Sequence, residues 1–150
     1  MKKNNRKGFT LIELLAVIVI LAVIVLLMMP NVTSLINNAT QNAFRTEVLS
    51  LGNYIQDAYA DKLMTGGVTT TSTGNTLCMT LTQLKDGGFI TKDLSGYKGY
   101  AKIVVPPTGA AVITVAVTND KYKLVGDLTK IQSNEIKVTT GNDVTDACPW

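Results

Sequence analysis

The sequence predicts an α+β chain, in which one long N-terminal helix packs on a small antiparallel β-sheet. Three observations predict it. An apolar run extends from Phe9 to Met29, and apolar residues then recur at helical spacing from Asn31 to about Met64. Beyond Gly66 and Gly67, short alternating runs are separated by turns rich in Pro, Gly and Asn. With 150 residues there is room for one membrane segment and one domain that buries a single core.

The apolar run holds about 21 residues, or roughly 31 Å of helix at 1.5 Å per residue, enough to cross a bilayer. Lys2, Lys3, Arg6 and Lys7 precede it and hold its N-terminal side in the cytoplasm. These cations account for the formal charge of +3; without them ten basic side chains face eleven acidic ones. That balance excludes a global basic field for nucleic acid. Glu13 is the single charge inside the run. An ionised carboxylate there costs on the order of a few kcal/mol unless it finds a partner, which makes Glu13 a candidate functional residue. A secretory signal would be cut after its apolar core at small residues, and Met28-Met29-Pro30-Asn31 offers no such site. A plain uncleaved anchor gives no reason for the glutamate.

The stretch Lys7-Gly8-Phe9-Thr10-Leu11-Ile12-Glu13-Leu14 resembles the cleavage and methylation motif of type IV pilins and their relatives, the pseudopilins. The resemblance covers residues 1 to about 64 and is architectural beyond them. It implies the type IV pilin fold, cleavage after Gly8 by a prepilin peptidase, and methylation of the new amine on Phe9. It also implies that Glu13 neutralises the Phe9 amine of a neighbouring subunit. In a low-dielectric bundle such pairing sets the axial register of one subunit against the next. Residues 1–8 are then a cleaved leader, 9–30 a transmembrane and filament-core helix, 31–64 an amphipathic stem, and 65–150 an exported domain.

Pro30 removes one helical hydrogen bond and crowds the preceding turn. Two readings are open: it ends the membrane helix, or it kinks or locally melts a longer stem. The periodicity that resumes at once favours the second. Val32, Leu35, Ile36, Ala39 and Ala43 share one face. Phe44, Val48, Leu51, Ile55, Ala58 and Tyr59 share another, rotated by roughly 100°. The first is expected to face neighbouring stems and the second to lie under the exported domain. Gly52 costs about 1 kcal/mol relative to Ala in a helix, and close packing against the sheet is one reason that would account for it. Met64-Thr65-Gly66-Gly67 should end the helix. Asn31-Val32-Thr33 and Asn38-Ala39-Thr40 fit the N-glycosylation acceptor pattern, but on a packed stem chance is the better reading.

In the exported domain, Val68 to Asn75 reads as a surface loop and Thr80 to Asp86 as a short helix. Thr80 or Thr82 would cap that helix, and Gly87-Gly88 would stop it. Tyr97 to Val105, Ala110 to Thr118 and Lys121 to Val125 then form an antiparallel meander. Glu135 to Thr139 is either an edge strand or irregular. Cys78 and Cys148 both fall in the exported part, where a pair in one small domain favours a disulfide over two buried thiols. Such a bond would tie down the C-terminus. Asn142, Asp143 and Asp146 are weak Ca²⁺ candidates, since their spacing matches no dedicated loop and a solvated turn is favoured. With no histidine, no phosphate loop and no nucleophile beside a base, the sequence carries no catalytic constellation, no cofactor and no other metal site. Alternating lysines on an outer sheet face read as solvation, so no specific nucleic acid is expected.

The expected function is therefore that of a non-enzymatic subunit of a type IV pilus. Subunits would wait in the cytoplasmic membrane and be drawn into a helical homo-oligomeric filament by ATPases acting through the assembly platform. That surface filament would serve adhesion, aggregation or twitching motility. The main alternative is a pseudopilin of type II secretion or DNA uptake, and a membrane-tethered enzyme or binding domain is the rival from another class.

Overall fold

In the computed structural model, which describes residues 8–72 and 74–149, helix α1 runs from Leu11 to Thr65. It is followed by strands β1 (Thr69–Thr71) and β2 (Gly74–Thr80), helix α2 (Leu81–Asp86), and strands β3 (Lys98–Val105), β4 (Val112–Thr118) and β5 (Tyr122–Asp127). Helix α3 (Leu128–Gln132) and strand β6 (Thr139–Thr140) complete the order. The architecture is α+β, a long N-terminal helix packed on a six-stranded antiparallel sheet, in keeping with the type IV pilin fold. The leader cations Lys2, Lys3, Arg6 and Lys7 lie outside the described residues.

Two compact units meet between Thr40 and Gln41. In the first, α1 is helical through Pro30, and every residue of the stretch Leu11–Met29 is exposed. Val32, Leu35 and Ile36 are exposed as well.

The second unit contains the core. Phe44, Val48, Leu51, Ile55 and Ala58 are buried, the i, i+3, i+4 spacing of one helical face. They pack against the inward side chains of a meander ordered β1-β2-β3-β4-β5-β6. Leu77, Ile103 and Ile113 form one cross-strand row, and Met79, Ala101 and Val115 the next. Each fully buried Leu, Ile or Val contributes about 1.5–3 kcal/mol relative to exposure, so this stripe holds the helix to the sheet. Phe44 stacks on Tyr97 at 5.8 Å and lies 6.0 Å from Tyr122. At its end, α1 stops as the sequence indicates: Gly66 has φ +85°, and the amides of Gly66 and Gly67 both donate to the Lys62 carbonyl.

Three segments differ from expectation. The Thr-rich stretch is an edge hairpin, not a loop, with Thr69 paired to Thr76 and Thr71 to Gly74. The β propensity of threonine outweighs the turn signal of the flanking glycines. Between β5 and β6, Asp127 caps the unforeseen helix α3; of the two readings open for Glu135 to Thr139 the structure takes mostly the irregular one, with β6 confined to Thr139–Thr140. Gly52 makes room for Leu128 of α3, not for the sheet: a Cβ there would lie 2.1 Å from Leu128 Cδ2.

Candidate processing and assembly site

Gly8 and Phe9 precede α1 in irregular, exposed backbone, and the Phe9 side chain is 90% exposed. A Cβ at Gly8 would meet no atom within 4 Å, so nothing inside the described chain requires glycine there. Any demand for its small size comes from outside, as it would if a peptidase had to close around the bond.

Thr10 is the last residue before the helix, and Glu13 is its third helical position. The Thr10 amide and hydroxyl donate to Glu13 Oε2 at 2.8 and 2.7 Å, while the Glu13 amide donates to Thr10 Oγ1 at 3.4 Å. This is a capping box, in which side chains satisfy amides that the first turn leaves unpaired. The Thr-x-x-Glu pattern was legible in the sequence, where the apolar surroundings drew attention to the charge alone. All the bonds go to Oε2; Oε1 receives none among the described residues. Beyond this box no charged side chain follows until Arg45. The first turn therefore presents a carboxylate, half committed to its own helix, beside a candidate cleavage junction.

In the second unit, α2 opens with its own box. Gln83 donates its amide to Thr80 Oγ1 at 3.1 Å, and Thr80 returns its amide to Gln83 Oε1 at 3.0 Å. Sequence reasoning left Thr80 and Thr82 open as caps; the structure selects Thr80.

Glu47 of α1 was not singled out from the sequence. Its carboxylate pairs with Lys92 and accepts the Tyr97 hydroxyl at 2.8 Å, pinning the segment between α2 and β3 onto the helix. Burial, and then that hydrogen bond, push the Tyr97 phenol above its ordinary value, and the Glu47 carboxylate raises Lys92. The Arg45 guanidinium donates to the Ile131 carbonyl and to Asn134 Oδ1, closing the C-terminal end of α3. Neither contact has a local sequence signal, because the partners are 86 and 89 residues away.

Cys78 and Cys148 are joined as a disulfide across 70 residues. Of the three Ca²⁺ candidates Asn142, Asp143 and Asp146, the two aspartates are engaged by different partners. Asp143 binds the Lys123 ammonium at 2.8 and 3.0 Å, which lowers its pKa, and Asp146 accepts from Thr82 and Gly99. Among the described residues no three His, Cys, Asp or Glu side chains cluster as a metal site would require.

Residues 3–29 match the family model of the prokaryotic N-terminal methylation motif, the signature of type IV prepilins and pseudopilins. That signature implies processing by a prepilin peptidase and, with the apolar helix, anchoring in a membrane before assembly. No curated protein and no solved structure matches the chain.

Proposed function

We propose that this chain, which carries the methylation signature of type IV prepilins, is a structural subunit of a type IV pilus. The observation that carries the proposal is an apolar helix, entirely exposed from Leu11 to Met29, ahead of a domain with its own core. An exposed apolar surface of this length requires lipid or other copies of the same helix. A prepilin peptidase cuts after Gly8, removing residues 1–8, and Phe9 becomes the methylated N-terminus. Residues 9–30 then serve first as a membrane span and later as filament core. The stem stripe of Val32, Leu35 and Ile36 packs on neighbouring stems, with local melting at Pro30 as subunits leave the bilayer. Residues 65–150 form the outer surface of the homo-oligomer.

In the assembled state Glu13 meets the Phe9 amine of the next subunit. The assembly platform and its ATPases supply the work of extraction, and the finished fibre acts in adhesion, aggregation or twitching motility. Mass spectrometry of the mature chain should find a methylated Phe9 at its N-terminus; retention of residues 1–8 would overturn the processing. Electron microscopy of cells lacking the protein should show loss of long surface fibres. Loss of secretion or DNA uptake with fibres intact would assign it to a pseudopilus instead.

A further inference from the structure

The C-terminal strap, residues 141–149, has no regular secondary structure, yet it is fastened to four strands and a helix. Gly141 accepts the Thr118 hydroxyl of β4 at 2.9 Å and donates its amide to the Lys121 carbonyl at 3.1 Å. Asp143 meets Lys123 of β5, Asp146 meets β3 and α2, and Cys148 is bonded to Cys78 of β2. Both aspartates are exposed, but they are anchored differently. Asp143 lies 70% exposed and holds one flexible lysine. Asp146 divides its oxygens between two elements: the Thr82 hydroxyl donates to Oδ2 at 2.7 Å, and the Gly99 amide donates to Oδ1 at 3.3 Å.

Both of those donors are held by contacts that do not involve the strap. Thr82 sits in the first turn of α2, whose start is held by the Thr80–Gln83 box. Gly99 has φ +139° and lies so close to β4 that a Cβ would be 1.9 Å from the Ala116 carbonyl oxygen. Its amide direction is therefore set by the sheet. Cys78 is four residues before Thr82, and Asp146 is two residues before Cys148. A tail that docks Asp146 on this corner brings Cys148 to Cys78.

We propose that Asp146 is the positioning residue for closing the Cys78–Cys148 bond: it seats the strap on α2 and β3, and oxidation then locks a tail already in place. The oxidant is a small disulfide of the glutathione class. One protein thiolate first takes up a glutathionyl group, releasing one glutathione thiol. The second cysteine, deprotonated to solvent, attacks the protein sulfur of that mixed disulfide. The Cys78–Cys148 bond forms, the bond to glutathione breaks, and glutathione leaves with the electron pair and takes a proton. Two protein thiols are oxidised and one glutathione disulfide is reduced to two thiols. Without a docking contact the two cysteines must find each other across a flexible loop, whose closure is entropically opposed.

The test is the effective molarity of the cysteine pair, measured for the full chain in detergent micelles equilibrated with reduced and oxidised glutathione. Asp146→Ala should lower it by about tenfold, the effect of losing a hydrogen bond to a charged group. Asp143→Ala, which breaks an exposed pair, should change it by less than about twofold. Thr82→Ala should act in the same direction as Asp146→Ala, Thr82→Ser should restore the value, and adding Thr82→Ala to Asp146→Ala should lower it no further. Thr82 is exposed, so its variants report even if Asp146→Ala misfolds. Overturning results are an unchanged effective molarity in Thr82→Ala, or equal falls in Asp146→Ala and Asp143→Ala.

Discussion

Two capping boxes open two helices in this chain, one built from Thr10 and Glu13 and the other from Thr80 and Gln83. They share a geometry: a threonine before the helix, and an acceptor at the third position that reaches back to the threonine amide. They differ in charge. At α2 a neutral glutamine does the whole task inside a folded domain. At α1 the same task falls to a carboxylate, at the head of a helix whose apolar stretch is exposed. Glutamine suffices for the cap at α2, so the charge on Glu13 adds only its attraction to the helix dipole at the N-terminus; on the proposed function its further use is to meet a cation of a neighbouring subunit.

That comparison breaks or holds most visibly with Glu13→Gln. The substitution keeps an acceptor for Thr10 and removes only the charge. Membrane insertion and helix content should stay at the wild-type level, while filaments seen by electron microscopy fall below detection. Normal filament yield would mean that Glu13 is a cap and nothing more; Glu13→Ala should impair assembly in the same way.

Next in size is the contrast between the surroundings of the two boxes. Leu51→Ala empties a fully buried site in the core and should cost about 3 kcal/mol of unit stability. Ile18→Ala, on the exposed stretch, should leave the urea midpoint of that unit unchanged. A comparable shift from both would deny that the two units fold separately.

Thr80→Ala should lower stability by about 1 kcal/mol, the usual worth of an N-cap, whereas Thr10→Ala should not move the same unfolding curve. The smallest effect is in pH. The α2 cap has no titrating group, but α3 is capped by Asp127, whose pKa is lowered by hydrogen bonds from the Thr129 side chain and backbone. A depressed folded-state pKa stabilises above the ordinary aspartate value, and that contribution is lost as pH falls through the depressed one. Asp143, lowered by Lys123, acts in the same sense. Tyr97 and Lys92 are raised, so their contributions are present below their ordinary values and fade as pH climbs through the raised ones. Melting temperatures should therefore dip slightly at both extremes. With Asp127→Asn, which keeps a capping oxygen, the acid-side dip should shrink; an unchanged dip would remove Asp127 from the account.

Features written in short-range spacing were legible before any coordinates. The buried stripe from Phe44 to Ala58, the stop at Gly66 and Gly67, and the short helix with Thr80 or Thr82 as its cap each rest on residues within a turn or two of one another. The three central strands were placed within two residues at each end. The Thr-rich hairpin was misread because β1 buries nothing and so leaves no alternation to see. Helix α3, five residues long, is too short for periodicity, and only Asp127 as a cap could have signalled it. At the candidate site, Gly8 and Phe9 came from a motif, and Glu13 from that motif and from its charge within an apolar run. Thr10 escaped notice although its pattern was there. The contacts of Glu47, Arg45 and Asp146 are made across the fold, between side chains with no local relation in sequence.

The boundary between Thr40 and Gln41 has a practical side. Every buried side chain of the core lies after it, as do the disulfide and both pinning contacts of Glu47. A chain begun at Gln41 leaves behind the greasy stretch that demands detergent and keeps all that the fold needs. Such a fragment should purify as a water-soluble monomer without detergent, and on the proposed function it carries the outer surface of a fibre that it has no means of joining.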